Sequence, residues 1–208
     1  MLGDVAGSLL GAGVTAAAVN ATNFMDGING ISGMTAALWG LCVVPVGVTV
    51  SDGALVGLGA ATAGSALGFL PYNLPEAQLF LGDVGSYLFG GLFAGGVLLT
   101  VADRGPVRRV LAPLSVYLVD VGITLARRAA RGAPLTEAHR EHVYQRLVQE
   151  QGWPHLQVTG ISVGAAAVAT VLAGHSYRSL LSAALAAAVL AAYAGLPRML
   201  HAGRGGRT

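Results

Sequence analysis

Lysine is absent from the 208 residues, and only 11% of them are charged. Soluble domains average about 25% charged residues. Twelve basic and ten acidic residues cannot cover a soluble domain of this length, so a soluble globular fold is excluded. The single cysteine, Cys42, rules out an intramolecular disulfide scaffold. A formal charge of +2 leaves no electrostatic footprint for nucleic acid, so no nucleic-acid partner is expected. Alternating polar and apolar runs are also missing, which argues against a β-barrel.

What is present is 54% hydrophobic residues and 31 glycines. Small residues let membrane helices approach closely. A spanning helix needs roughly 17–25 mostly apolar residues. Six stretches qualify: 34–50, 54–71, 84–101, 107–126, 156–173 and 179–197. A seventh, 5–19, is short. The sequence therefore predicts an all-α polytopic transmembrane helix bundle of six to seven spans. Residues 1–208 form one integral membrane domain, with a polar loop over 127–155. The N-terminal run has no basic residue before it and carries Asp4, unlike a signal peptide. It reads as the middle of a helix, and the chain is expected to be the later part of a longer membrane protein.

Three segments interrupt the apolar pattern: 20–33, 71–86 and 127–155. Two spans separate the first from the second, and two more separate the second from the third. An even number of crossings returns a chain to the same side, so all three are expected on one membrane face. Arg127, Arg128, Arg131, Arg140, Arg146, Arg198, Arg204 and Arg207 fall on that face. Arg104, Arg108, Arg109 and Arg178 fall on the other. The positive-inside bias then makes the polar face cytoplasmic, in a cell or inner membrane.

Ionisable groups at membrane depth are costly and by default point to function. Asn20, Asn23 and Asp26 follow one another at intervals of three and would share one side of a continued helix. Gly27, Gly30 and Gly33 would let a ligand approach the backbone. A polar helix end with an Asn/Asp/Gly turn is the plain alternative. Asp83 precedes a span, where it could cap the helix or hold a cation. Mg²⁺ is typically held by one or two carboxylates plus substrate phosphates, and Asp26 and Asp83 suit such a site. His139, His142 and Arg146 are spaced to share a helix face and clamp an anion; a solvated interfacial helix is the alternative. Zinc on His139 and His142 lacks a third ligand. Asp120 either points into the site or pairs with Arg127 or Arg128. Tyr144, Trp153 and His155 fit interface anchors, and Asp52, Glu76 and Asp103 fit loop charges.

Together the three clusters resemble the polyprenyl-phosphate N-acetylhexosamine-1-phosphate transferases, of the glycosyltransferase family 4 type. Asn20–Gly30 match the family's Asn-x-x-Asn-x-x-Asp-Gly-x-Asp-Gly pattern except at Asn29, Phe80–Ser86 match Phe-x-Gly-Asp-x-Gly-Ser, and 127–147 match its basic His-bearing loop. The sequence around His139 and His142 resembles the branch that initiates O-antigen and related lipopolysaccharide chains. The resemblance implies transfer of a sugar 1-phosphate from a UDP-N-acetylhexosamine to undecaprenyl phosphate, with release of UMP. It implies Asp26 and Asp83 as catalytic residues, Asp83 as ligand to Mg²⁺ or Mn²⁺, and Asn20, Asn23, His139, Arg140, His142 and Arg146 as substrate-binding residues. Membrane lipid is the other expected partner, and a homodimer is compatible with this reading. Two departures stand out. The family's paired-aspartate motif of an earlier loop has no counterpart, and Asn29 stands where the family usually has a second Asp. They motivate an alternative, a non-catalytic relative or assembly partner of a complete transferase. A transporter is the third reading, opposed by the lack of an inverted repeat.

Overall fold

The computed structural model describes residues 2–135, 137, 139–175 and 180–205. Arg178 and Arg207 lie outside the described residues, and so does the side chain of Arg204. The chain runs through α1 (Leu2–Met25), α2 (Ile31–Val50), α3 (Gly53–Asn73) and α4 (Gly82–Ala102). There follow α5 (Val107–Leu111), a 3₁₀ turn (Ala112–Leu114) and α6 (Ser115–Ala130). The short α7 (Val143–Gln149) lies in the long loop, and α8 (His155–His175) and α9 (Leu180–Gly205) complete the fold. Among the described residues there is no strand, and seven helical stretches are long and apolar enough to cross a membrane. The protein is an all-α polytopic membrane bundle.

The first span is longer than its hydropathy indicates and runs to Met25. Its polar residues do not end the helix because the helix itself satisfies them. Asn20 Nδ2 donates to the Ala16 carbonyl at 2.8 Å, and Thr22 Oγ1 to that of Ala18 at 2.8 Å. Inside a bilayer such back-bonding is the cheapest partner for a polar side chain. The loop expected over 127–155 is likewise shorter. Arg127 and Arg128 remain in the last turn of α6, where cations oppose the negative helix end, and α8 already begins at His155.

α2 and α3 pack through backbone. A Cβ on Gly40 would lie 2.5 Å from the Gly59 carbonyl oxygen, and one on Gly59 would lie 3.0 Å from that of Gly40. Only a pair of glycines permits this approach. Asp52 is not a mere loop charge: its Oδ1 accepts from the Ala54 amide at 2.8 Å and caps α3. One apolar core joins α2, α3, α4 and α5 around Trp39, Val43, Leu55, Phe93 and Val110. The Trp39 and Phe93 ring centroids are 4.9 Å apart. A second core, around Met25, Ile31, Tyr117, Tyr144, Leu147 and Val158, ties the long loop to α1, α6 and α8.

The span 107–130 is not one helix. Pro113 lies in the 3₁₀ turn between α5 and α6. Proline has no amide to donate, so a break here frees backbone carbonyls. The buried Trp39 Nε1 donates to the Val110 carbonyl at 3.0 Å. An unpaired carbonyl at membrane depth would cost several kcal/mol.

The loops at one end of the bundle are tied to each other as the span parity requires. The Gly30 amide donates to Asn73 Oδ1 at 2.6 Å, and Asn73 Nδ2 donates to the Leu79 carbonyl at 2.9 Å. Asn29 Nδ2 donates to the Pro75 carbonyl at 3.2 Å, while Thr159 Oγ1 donates to the Asn29 carbonyl at 2.8 Å. At position 29 an amide provides the donor that a carboxylate would lack.

Replacing Trp39 with Phe keeps the ring in the core but removes the donor to Val110. The expected loss is about 1–3 kcal/mol, read as a lower thermal midpoint in detergent. An unchanged midpoint would mean that the indole bond does not stabilise the helix break.

Candidate functional site

Asn23 is the joint between the first two polar clusters. From the last turns of α1 its Nδ2 reaches across to α4, donating to Asp83 Oδ1 at 3.0 Å and to Ser86 Oγ at 3.1 Å. Ser86 Oγ in turn donates to the Asp83 carbonyl at 3.2 Å. Asp83 does not cap α4. It stands in the first turn after the N-cap Leu81, at the positive helix end, with its side chain exposed. Asp26 follows just beyond α1. Burial pushes its carboxyl above the ordinary carboxylate range, a hydrogen bond with Ser32 lowers it, and repulsion from Asp83 raises it. The two carboxylates are therefore electrostatic neighbours.

The third cluster is held by Asp120, which is completely buried on α6. It pairs with neither Arg127 nor Arg128. Its Oδ1 accepts from the Val143 amide at 2.9 Å, lies 3.0 Å from His142 Nδ1, and accepts from Thr124 Oγ1 at 3.3 Å. Its Oδ2 accepts from Tyr193 Oη at 3.0 Å and from the Tyr144 amide at 3.3 Å. One side chain thus caps α7 from outside and gathers α6, α7 and α9. Facing a carboxylate assigns the proton to His142 Nδ1. Among the described residues His142 Nε2, which is buried, has no hydrogen-bond partner.

His139 and His142 come together, though not on a helix. α7 starts only at Val143, and His142 is extended, with φ −62° and ψ 150°. The two imidazoles stack with centroids 5.0 Å apart. Burial pushes the His139 pKa below its ordinary value, and repulsion from His142 and Arg128 adds to the shift. At neutral pH His139 is accordingly an uncharged hydrogen-bonding group, not the cation its place in a basic loop indicates. Tyr144 is fully buried rather than an interface anchor, and its Oη donates to the Phe24 carbonyl at 2.8 Å. This bond joins the loop to the end of α1. Gly27 makes room for it, since a Cβ there would lie 2.2 Å from Tyr144 Oη. The glycines of this segment serve packing within the protein: Gly30 abuts Leu74, and Gly33 abuts Leu70.

A cavity of about 340 Å³ results, with Asn23, Phe24, Gly27, His139, His142 and Tyr144 in its wall. Asn23 belongs both to this wall and to the bond with Asp83. Asn20 lies elsewhere, on a separate apolar cavity of about 440 Å³ between α1, α4, α5 and α6, together with Phe24, Phe93, Val97 and Leu118. Phe24 is common to both cavities. Arg140 and Arg146 do not join the histidines. They line a third cavity, and Arg146 is bound by Glu150, Nε to Oε1 at 2.8 Å. The residues missing from the sequence-based site are Asp120, Ser86, Tyr144 and Asn73. Asp120 carried a signal, a lone acid inside a span, and Ser86 closes the Phe80–Ser86 motif; Tyr144 and Asn73 carried none.

Among the described residues no three His, Cys, Asp or Glu side chains converge as a metal cage. Asp26 and Asp83 nonetheless fit a hard divalent cation that takes its other ligands from phosphates and water. A carboxylate whose proton affinity is raised by burial and by a neighbouring carboxylate, as that of Asp26 is, is the kind of group that such a charge would relieve.

Fold and site define a multi-pass helical membrane protein with acids, amides and imidazoles gathered at one membrane face. Residues 2–101 match the model of glycosyl transferase family 4, and the chain belongs to that family. It is 33% identical over 175 residues to a decaprenyl-phosphate N-acetylglucosaminephosphotransferase of Mycolicibacterium smegmatis, covering 72% of this chain and 42% of the relative. It is 36% identical over 165 residues to a phospho-N-acetylmuramoyl-pentapeptide-transferase of Symbiobacterium thermophilum, covering 76% of this chain and 46% of the relative. The chain thus spans less than half the length of these relatives.

Two substitutions test the geometry. Asp120→Asn should release the loop by about 3 kcal/mol, seen as roughly 100-fold faster amide exchange over 143–147 with the spans still protected. Unaltered exchange would remove Asp120 as the anchor. Gly27→Ala should lower the thermal midpoint by displacing Tyr144, at a cost of about 1–3 kcal/mol. The same change made in a Tyr144→Phe background should cost less, because the clashing oxygen is gone. Equal costs in the two backgrounds would refute the contact.

Proposed function

We propose that the chain carries the catalytic face of a transferase that moves an N-acetylhexosamine 1-phosphate from a UDP-sugar to a long polyprenyl phosphate such as undecaprenyl phosphate, releasing UMP. The observation that carries this reading is the Asn23–Asp83 bond, which sets an acid of α4 beside Asp26, with an apolar cavity and an imidazole-lined cavity meeting at Phe24. The apolar cavity suits the first isoprene units of the lipid, and Asn20 on its wall suits the attached phosphate. The imidazole cavity suits the sugar phosphate.

An oxygen of the lipid phosphate attacks the β-phosphorus of the UDP-sugar. The bond from that phosphorus to the bridging oxygen breaks, and UMP leaves with the bridging oxygen. Phosphoryl transfer of this kind depends mainly on positioning and charge stabilisation. Bound Mg²⁺, or Mn²⁺ in its place, would be held by Asp83 with Asp26 nearby and would supply neutralisation of the phosphate charge. Asn23 holds the Asp83 carboxylate in place. His142, fixed through Nδ1, stands in the wall of the imidazole cavity. A phosphate monoester has a second pKa of about 6 and needs no strong base to become a nucleophile.

The arginine bias makes the site cytoplasmic in this reading, with the reaction serving cell-envelope polysaccharide synthesis. The relatives, an N-acetylglucosaminephosphotransferase and a phospho-N-acetylmuramoyl-pentapeptide-transferase, support an N-acetylated hexosamine donor. The narrower assignment to O-antigen initiation rests on the His139–His142 segment alone.

The test is UMP release by the purified chain in detergent, supplied with undecaprenyl phosphate, Mg²⁺ and UDP-N-acetylhexosamines. Release should depend on the cation and fall by at least about 100-fold in Asp83→Asn with the thermal midpoint retained. Wild-type turnover in that variant would remove Asp83 from the site. No release from folded wild-type chain with any donor would overturn the reading of this chain as a catalyst.

A further inference from the structure

A second polar cavity, of about 570 Å³, opens beside α6, α7 and α9. The non-helical segment 139–142 divides its side chains. His139 and His142 go to the imidazole cavity, while Arg140 and Glu141 go to this one. Arg127 and Arg131 join from the end of α6, Arg146 and Glu150 from α7, and Arg198 from α9. Five guanidinium groups face two carboxylates, a surplus of three positive charges. The carboxylates are already engaged: Glu150 holds Arg146 through Nε and Nη2, and Glu141 takes Arg131 and the neighbouring Arg128. Among the described residues no carboxylate pairs with Arg127, Arg140 or Arg198.

Such a gathering is unfavourable without an anion. Arg198, Arg146 and Arg131 all stand close enough to Arg127 to repel it. The depth is informative. Arg127 lies in the last turns of one spanning helix and Arg198 in those of another, so the cavity sits where headgroups meet the hydrocarbon. Met199, beside Arg198, is 66% exposed and offers apolar surface at the same level. Basic pockets between spanning helices at this depth suit the phosphate of an acidic lipid. Guanidinium groups suit it because each forms two parallel hydrogen bonds with phosphate oxygens.

We propose that this cavity binds a phosphate group, that of an acidic phospholipid headgroup, at a place separate from the imidazole cavity and independent of any transferase activity.

The experiment is native mass spectrometry of the delipidated chain in detergent, with phosphatidylglycerol or phosphatidylcholine added back. The wild-type chain should retain one phosphatidylglycerol in preference to phosphatidylcholine. The triple variant R127Q/R146Q/R198Q should lower that retention on the order of 100-fold. R104Q, on the opposite face, should not. The triple lysine variant R127K/R146K/R198K keeps the charge and should keep much of the preference, so the proposal stays testable if the glutamine variant fails to fold. Displacement of the lipid by millimolar inorganic phosphate, dependent on the same arginines, would keep the phosphate seat but make its ligand soluble. Equal retention of the two lipids by the wild-type chain, or equal retention of phosphatidylglycerol by the wild-type chain and both triple variants, would overturn the proposal.

Discussion

Five donors from three stretches of chain converge on the buried carboxylate of Asp120. The loop between α6 and α8 has little apolar surface with which to fold by itself. Its short helix is too short to be stable alone, and its first amides would otherwise be unpaired. Asp120 supplies both the acceptor for those amides and the counterpart of His142. Once α7 is fixed, Val143, Tyr144 and Leu147 enter the core, and Tyr144 reaches the end of α1. The imidazoles, the Gly27 turn and the mouth of the apolar cavity take their places from that one contact. Burying a carboxylate is costly unless its hydrogen bonds are complete, and here the same completeness makes it an anchor.

The bilayer imposes the other constraint. No backbone group at membrane depth can turn to water. Asn20 and Thr22 bond their own helix, Trp39 serves the carbonyl at the α5–α6 break, and Asn73 bridges two loops at the bundle's end. Glycine has a related role. The Gly40–Gly59 contact brings two helix backbones together, and Gly27 admits the Tyr144 hydroxyl. The mobility or ligand access that a glycine-rich motif suggests is realised here as close packing within the protein.

The functional residues show how far pattern reading reaches. The Asn23–Asp83 partnership was accessible because motif order and span parity set both on one face. The grouping of His139, Arg140, His142 and Arg146 was not. It assumed that the helix reaches back to His139, whereas Asp120 starts the helix only at Val143 and leaves the preceding residues outside it. Outside a helix the i, i+3 and i, i+4 spacings no longer share a face, and the histidines and arginines line different cavities. Asn29 is a similar case. Its amide looks like the loss of an acid until the Pro75 carbonyl is seen to require a donor.

The sequence by itself determined the membrane character, a count of six to seven spans, the common face of the three polar segments and the family. Hydropathy and crossing parity are sums along the chain, and they need no knowledge of which helix touches which. Tertiary structure alone decided the partner of Asp120, the helix break served by Trp39, the role of Gly27 and the division between imidazole and arginine cavities. Each depends on the rotation and depth of helices far apart in sequence, which are set by packing across the bundle and leave no trace in local composition.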